Sequence, residues 1–298
     1  MENTVYSKGK AQAKKLRAQR GPEHEVGGTT PYRIVCIVVL VIIALLFTFP
    51  LYWIITGSFK TNQVNTARVP QWFPLAPTIE NYQNLFTRPA MKWLGNTVIM
   101  CVSSMALTCV AGSMAGYALA KKKFHGRALF FTLFVCAMAL PKQVILIPLL
   151  KEMSFLGIHN TLWAVIMPTV GWPFGVFLMK QFSESIPDAL LEAAKIDGAG
   201  ETRTFVEIVL PLISPGIGAL AIFTFINCWN DYFLQLIMLN ETAKLSISLG
   251  IAKMQGQFSN DFGLIMAGAA LSSVPIIIVF ILFQRFFTSG ITMGAVKG

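Results

Sequence analysis

The apolar residues of this chain are gathered into several runs of about twenty residues that carry almost no charge. A helix of that length crosses the roughly 30 Å hydrocarbon core of a bilayer, whereas a helix of a soluble protein is usually shorter and polar along one face. Hydrophobic residues make up 54% of the 298 residues and charged residues only 13%, a balance far from that of a soluble domain. These features predict an all-α integral membrane protein.

Six transmembrane helices are predicted, at about residues 34–56, 94–119, 128–150, 161–182, 212–239 and 264–287. This transmembrane domain over 34–287 is preceded by a basic arm over 1–33, contains a polar loop over 183–211, and is followed by a short tail over 288–298. Prolines inside spans three, four and six predict bends, since a proline removes a helical hydrogen bond. Gly112 and Gly116 in span two have the spacing that lets a second helix approach closely.

The basic residues predict the orientation of these spans. If the amino terminus is placed inside, about two thirds of the 24 Lys and Arg residues fall on the cytoplasmic side, including the dense group Lys121, Lys122, Lys123 and Arg127 after span two. Positive charge accumulates on that side of a membrane protein, so both termini and the 183–211 loop are expected in the cytoplasm. Topology therefore explains the net charge of +10 better than nucleic-acid binding does, and the arm can also contact anionic membrane lipid.

The sequence lacks the motifs of the common enzyme and metal sites. Its only Gly-Lys pair, Gly9-Lys10, is without the upstream glycine and the following Ser or Thr of an ATP-binding P-loop. His24, His125 and His159 are scattered over different loops, and the five cysteines lie in apolar stretches without metal-ligand spacing. We therefore expect neither a catalytic site, nor a metal, nor a cofactor in this chain.

The 183–211 loop is an acidic island between long apolar segments, with six of the chain's 14 acidic residues. Pro187 suits a helix start and Ser185 gives a weak capping signal, while Gly198 and Gly200 are natural helix stops. A second short helix is predicted over about 201–209, before Pro211 interrupts it. The loop is thus expected to form two short helices joined at a glycine elbow outside the bilayer.

The pattern Glu192-Ala193-Ala194, three residues, Gly198, nine residues, Ile208-x-Leu210-Pro211 resembles the cytoplasmic loop of bacterial ABC-importer permeases. Asp197-Gly198-Ala199 makes it most similar to the carbohydrate branch, near the second permease of maltose-type transporters. The resemblance implies a coupling helix that docks on an ATPase subunit. It assigns this contact to Glu192, Ala193, Ala194, Asp197, Gly198 and Ala199.

The same resemblance implies the partners and the site of ATP hydrolysis. A second permease subunit is expected, because six helices alone would form a thin conduit for a sugar. Two cytoplasmic ATPase subunits would carry ATP and Mg, and an extracytoplasmic solute-binding protein would deliver the sugar substrate. The expected location is the cytoplasmic membrane of a bacterium.

Span five contains a polar patch of Asn227, Trp229, Asn230, Asp231, Tyr232 and Gln235. In one continuous helix, positions 227, 230 and 231 would share a face and 235 would extend it by a turn. Polar groups at this depth face the bundle interior or a water-filled cavity. They either line the substrate pathway, as the Trp-Asn pair of sugar permeases suggests, or hydrogen-bond neighbouring helices.

The carboxyl-terminal residues Gly294, Ala295, Val296, Lys297 and Gly298 also resemble the tail of maltose-type permeases. In that family the tail reaches into the ATPase dimer; the alternative is a frayed terminus in which Lys297 acts only as a topology charge. Taken together, the residues predict a permease subunit of an ATP-driven importer for a sugar or oligosaccharide. Import of a polyol or glycerol phosphate and an ATP-independent channel remain alternatives, although Lys142 is the only basic residue well inside a predicted span.

Overall fold

The computed structural model describes residues 30–257 and 261–295, and these residues form no β-strand. Most of the basic arm predicted over 1–33 lies outside the described residues, as do Val296, Lys297 and Gly298. The helices of seven residues or more are α1 Thr30–Ser58, α2 Glu80–Phe86, α3 Ala90–Lys121, α4 Arg127–Met138, α5 Lys142–Phe155, α6 Trp163–Val170, α7 Pro173–Glu184, α8 Asp188–Ile196, α9 Ser214–Asn230, α10 Tyr232–Met238, α11 Ile247–Gln257 and α12 Phe262–Ala295. The expected all-α fold is confirmed.

Four of these elements are long and apolar enough to cross a membrane: α1, α3, α6 with α7, and α12. Two bent pairs raise the number to six if each pair is one span. The first pair is α4 with α5, which meet at 109°, and the second joins the segment Glu201–Leu212 to α9 at 75°. Spans three and five are therefore not the single helices over 128–150 and 212–239 that hydropathy predicts.

The breaks in these two spans have local causes. Span three breaks immediately before Pro141, whose backbone is extended (φ −60°, ψ 129°), because a proline disfavours helical geometry in the residue before it. Span five bends by 75° at Ile213 and is interrupted a second time at Asp231 (φ −79°, ψ 70°), where no proline is present. The last helix, by contrast, continues past Phe287 to Ala295, so its end lies within the predicted tail.

The first unit of the chain is described from Thr30 to Trp53 and consists of part of α1. Apart from Arg33 and Thr48, its side chains between Tyr32 and Phe49 are apolar, and almost all of them are exposed. A helix that is hydrophobic on every side requires lipid or another apolar surface around it.

The second unit, from Ile54 onward, is organised around α3. This helix packs most extensively against α7 and α9. A Cβ atom built on Gly116 would lie 2.6 Å from the backbone nitrogen of Lys180, and one on Gly112 would lie 3.2 Å from the carbonyl oxygen of Gly175. The predicted close approach at Gly112 and Gly116 is confirmed, and it joins the backbones of spans two and four.

Candidate functional site

The acidic loop forms a short, well-capped helix, α8. Its last turn closes with the Ala199 N–H donating to the Ala194 carbonyl at 2.9 Å and the Gly198 N–H donating to the Lys195 carbonyl at 3.2 Å. Gly198 has φ +76°, the left-handed conformation that this Schellman turn requires and that glycine adopts without a steric penalty. The glycine elbow predicted from the sequence is confirmed.

The predicted start of α8 was wrong in one respect. The Ser185 hydroxyl does not cap α8 but donates to the Phe182 carbonyl at the end of α7. Pro187 instead precedes the helix in an extended conformation, and Asp188 is the first helical residue. An acidic residue in this position is favourable because it faces the positive end of the helix dipole.

The exposed side of α8 contains a row of apolar residues. Ala194 is buried and Leu191 packs against the core, whereas Leu190, Ala193 and Ile196 are exposed, Ile196 to 86%. Successive exposed positions three residues apart lie near one another on a helix. Glu192, Lys195 and Asp197 are exposed beside this apolar row, so the helix presents an apolar strip with charged neighbours.

Lys121 at the end of α3 holds the loop in place. Its ammonium donates to the Ile186 carbonyl at 2.6 Å and to the Asp188 carboxylate at 2.7 Å, with a longer contact of 3.4 Å to the Glu184 carbonyl. The Lys121 side chain is only 10% exposed. The hydrogen bond from Lys121 lowers the pKa of Asp188, so this attachment persists in mildly acidic solution.

Lys122 makes a second attachment, an ion pair with Glu201. Partial burial works against its charge, but the hydrogen bonds to Glu201 and Tyr117 prevail and raise the pKa of Lys122. Arg127 donates to the Ala120 carbonyl at 3.0 Å and so caps α3. The basic group that the sequence analysis assigned to topology is therefore also a clamp on the loop, a role missed because its acidic partners lie more than sixty residues away.

The second half of the loop also differs from the expectation. Residues Glu201–Thr204 are α-helical, Phe205–Val209 form a π-helical turn, and Leu210–Leu212 continue to Ile213. Pro211 thus does not end the helix. A π turn widens the helix, so the missing N–H and the ring of Pro211 are accommodated at this point.

A cavity of about 340 Å³ lies among α3, α5, α7 and α9. Its charged lining residues are Lys142, the first residue of α5, and Asp231, at the break between α9 and α10. The Lys142 Nζ lies 3.4 Å from Asp231 Oδ2 and 4.4 Å from the centre of the Trp172 ring. Asn227 and Thr169 add polar groups to an otherwise largely apolar wall.

The polar patch of span five does not line a single cavity, although Asn227 and Asn230 belong to the same helix, α9. Asn227 and Asp231 line the cavity, whereas Trp229 and Asn230 line a second concavity of about 360 Å³ with Ser248, Ser272 and Ser273. Gln235 is fully buried, and its amide donates to the Cys228 carbonyl at 2.7 Å. It therefore supports the broken backbone, while Tyr232 is half-buried against the larger core cluster.

Comparison with known proteins then identifies the family. Residues 108–293 match the family described as the binding-protein-dependent transport system inner membrane component. The chain belongs to this family. It is 35% identical over 260 residues to the arabinooligosaccharides transport system permease protein AraQ of Halalkalibacterium halodurans, covering 86% of this chain and 93% of that protein. It is 34% identical to the sulfoquinovosyl glycerol transport system permease protein SmoH of Agrobacterium fabrum, covering 84% and 89%.

A solved structure extends the comparison to the fold. A chain from a bacterial ABC transporter involved in the import of the acidic polysaccharide alginate superposes with a TM-score of 0.77 at 22% identity, covering 88% of this permease and 99% of that chain. The expected resemblance to ABC-importer permeases is confirmed. This permease is thus a membrane subunit of a multi-component importer and not itself an enzyme.

Proposed function

We propose that this permease imports a sugar or oligosaccharide and that α8 is its coupling helix. The observation that carries the proposal is the exposed row Leu190, Ala193 and Ile196 on a helix that Lys121 attaches at its start. Apolar side chains exposed on a loop outside the bilayer are typical of a protein-binding surface. A groove on a cytoplasmic ATPase subunit, which would bind ATP and Mg, is the partner that the family implies.

The clamp gives this helix a mechanical role. Lys121 joins α8 directly to the end of α3, and α3 is packed along α7 through Gly116. Displacement of α8 by the closing ATPase dimer would therefore be transmitted to spans two and four. ATP would shift the population toward an outward-facing state because the closed ATPase dimer binds that state more tightly. Ala193 allows close approach, Glu192 and Asp197 orient the acidic edge, and Gly198 with Ala199 forms the elbow.

The expected partners and placement follow from this role. A second permease subunit would complete the pathway, a solute-binding protein would deliver the sugar from outside, and both termini would lie in the cytoplasm of a bacterial cell. The tail residues 294–298 would reach the ATPase dimer. A sugar is favoured over glycerol phosphate because Lys142, the basic residue of the cavity, already has Asp231 beside it. The names of the relatives, AraQ among them, also favour a sugar.

The test is recovery of the ATPase with the tagged permease from native membranes, identified by mass spectrometry. Ile196→Asp places a charge in the apolar row and is expected to lower the recovered ATPase at least tenfold while membrane insertion is unchanged. Leu75→Asp is the matched control, since Leu75 is 85% exposed in a segment distant in sequence from the loop. Equal recovery from both variants would refute the docking role of α8.

A further inference from the structure

The Lys142–Asp231 pair occupies an unusual position in the chain. Lys142 begins α5 directly after the 109° bend of span three, and Asp231 is the residue at which span five breaks. Charged groups inside membrane-spanning segments are costly and generally mark a substrate pathway or a proton relay. Both charges line the cavity of about 340 Å³.

The Lys142–Asp231 ion pair is long and leaves room between its two charged groups. Its nitrogen–oxygen distance is 3.4 Å, longer than the roughly 2.7–2.9 Å of a tight charge-assisted hydrogen bond. The side chains of Lys142 and Asp231 retain 37% and 19% of their exposure. Asp231 also accepts the Leu234 N–H at 3.3 Å, and the Trp172 ring lies against the Lys142 ammonium. Both charges thus have a further contact besides this long hydrogen bond to each other.

A further polar group of the cavity wall is also available. Thr108 is 3% exposed, and its hydroxyl has no hydrogen-bond partner among the described residues. A buried hydroxyl without a partner costs free energy that a bound ligand can recover. Asn227 lies on the same wall, with its amide donating to the Phe223 carbonyl at 2.8 Å.

We propose that Lys142, Asp231, Asn227 and Thr108 form a binding subsite for the hydroxyl groups of an uncharged saccharide, with Trp172 positioning Lys142. This inference rests on the proposed function and names the substrate class of its pathway. A sugar hydroxyl accepts from the Lys142 ammonium and donates to the Asp231 carboxylate at once, because a hydroxyl is both donor and acceptor. It therefore enters the open pair without leaving either charge uncompensated.

The net charge of the cavity explains the choice of an uncharged ligand. Among the described lining residues, one positive and one negative charge cancel. An acidic sugar would bring a second carboxylate next to Asp231 and would experience repulsion, whereas a neutral sugar keeps the balance. Trp172 contributes by holding the ammonium over its ring.

A different role for the same residues would be mutual neutralisation without ligand contact. Replacing both members of a buried ion pair by uncharged residues is often neutral for stability, whereas removing one leaves an uncompensated charge. If the two charges only neutralise each other, the double substitution therefore restores sugar uptake. If they bind sugar, the double substitution does not restore uptake, since both hydroxyl-binding groups are lost.

The experiment uses the complete importer in proteoliposomes, with its binding protein saturated with the sugar that this binding protein carries. Lys142→Met, Asp231→Asn and the double variant are each expected to lower sugar uptake at least tenfold, with binding-protein-stimulated ATP hydrolysis kept within about twofold. Lys180→Met is the control, because Lys180 also forms an ion pair with a carboxylate, that of Glu184, but does not line this cavity. Wild-type uptake by the double variant would overturn the subsite. Absence of uptake by the wild-type importer would instead overturn the proposed function.

A second experiment measures whether the cavity prefers ligands of one charge. Asn227→Cys, in a chain whose native cysteines are replaced by serine, is labelled with anionic and cationic methanethiosulfonate reagents, and the rates are normalised to a small thiol in solution. A balanced cavity is expected to give a ratio near one, and adding Asp231→Asn should favour the anionic reagent about tenfold. A strong preference in the parent, or no change on adding Asp231→Asn, would overturn selection of an uncharged ligand.

Discussion

Lys121→Met should release α8, the proposed coupling helix, without disturbing the spans. The substitution keeps an apolar stem of similar length but removes the ammonium that donates to the Ile186 carbonyl at 2.6 Å and to Asp188 at 2.7 Å. A hydrogen bond from a charged donor contributes about 1.5–3 kcal/mol. Because the Lys121 side chain is only 10% exposed and Ile186 is buried, solvent replaces little of this bond.

The expected magnitude follows from the Ile186 contact alone. A loss of about 2 kcal/mol raises the population of detached loop roughly thirtyfold, since 1.4 kcal/mol corresponds to a factor of ten. Hydrogen–deuterium exchange of the backbone amides of α8 in the purified importer measures this opening directly. We expect roughly thirtyfold faster exchange over Asp188–Ile196, together with weaker ATPase stimulation by the loaded binding protein.

Lys123→Met is the matched control, because Lys123 is exposed two residues later and acts on Asp188 only as a weaker, distant charge. It removes the same formal charge from the same basic group. If exchange of α8 rises equally in both variants, or in neither, the clamp does not hold the loop and the transmission route proposed through α3 is incorrect.

Three further predictions concern the same region. Gly116→Ala should lower the thermal midpoint of the purified importer, because the new Cβ would lie 2.6 Å from the Lys180 backbone nitrogen, whereas Gly95→Ala on the same helix meets nothing within 4 Å and should be neutral or mildly stabilising. Gly198→Ala should destabilise the end of α8 by about 1–2 kcal/mol, because φ is +76° at this residue. Gly200→Ala is the control and should leave α8 unchanged, because Gly200 has equally open space around it and a φ of −70°. Equal hydrogen–deuterium exchange of α8 in both variants would contradict this prediction. The pKa of Asp188 is lowered, so the contribution of its ionised carboxylate to stability is present above the ordinary carboxyl pKa and is lost as the pH falls through the lowered value. Hydrogen–deuterium exchange of α8, corrected for its intrinsic pH dependence, should therefore be constant from pH 7 to about pH 5 and rise only in stronger acid. A rise already at pH 5 would contradict this prediction.

Much of the fold was predictable from local sequence. Apolar runs fixed the all-α membrane class, and the glycine at position 198 predicted the elbow, because both depend on residues near each other in the chain. Pro141 breaks span three, whereas Pro148, Pro168 and Pro275 lie inside helices. Which proline becomes a break depends on whether neighbouring helices satisfy the freed carbonyl, and a single sequence does not contain that information.

The break at Asp231 could not be predicted for a related reason. It has no proline, and it is stabilised by two side chains that replace helical hydrogen bonds: Asp231 accepts the Leu234 N–H, and Gln235 donates to the Cys228 carbonyl. Periodicity treats both residues as members of a continuous polar face. In the structure Asn227 and Asp231 line one cavity and Asn230 lines another, and the first of these cavities holds the candidate subsite.

The basic group after span two shows how one set of charges serves two requirements. Positive residues accumulate on the cytoplasmic side of a span, so the predicted orientation accounts for their position before any contact is considered. The contacts of Lys121 and Lys122 with the acidic loop add the second requirement. Removal of Lys121 alone leaves Lys122, Lys123 and Arg127 to set the topology. A loss of coupling in Lys121→Met would therefore be assigned to the clamp and not to inversion of the spans.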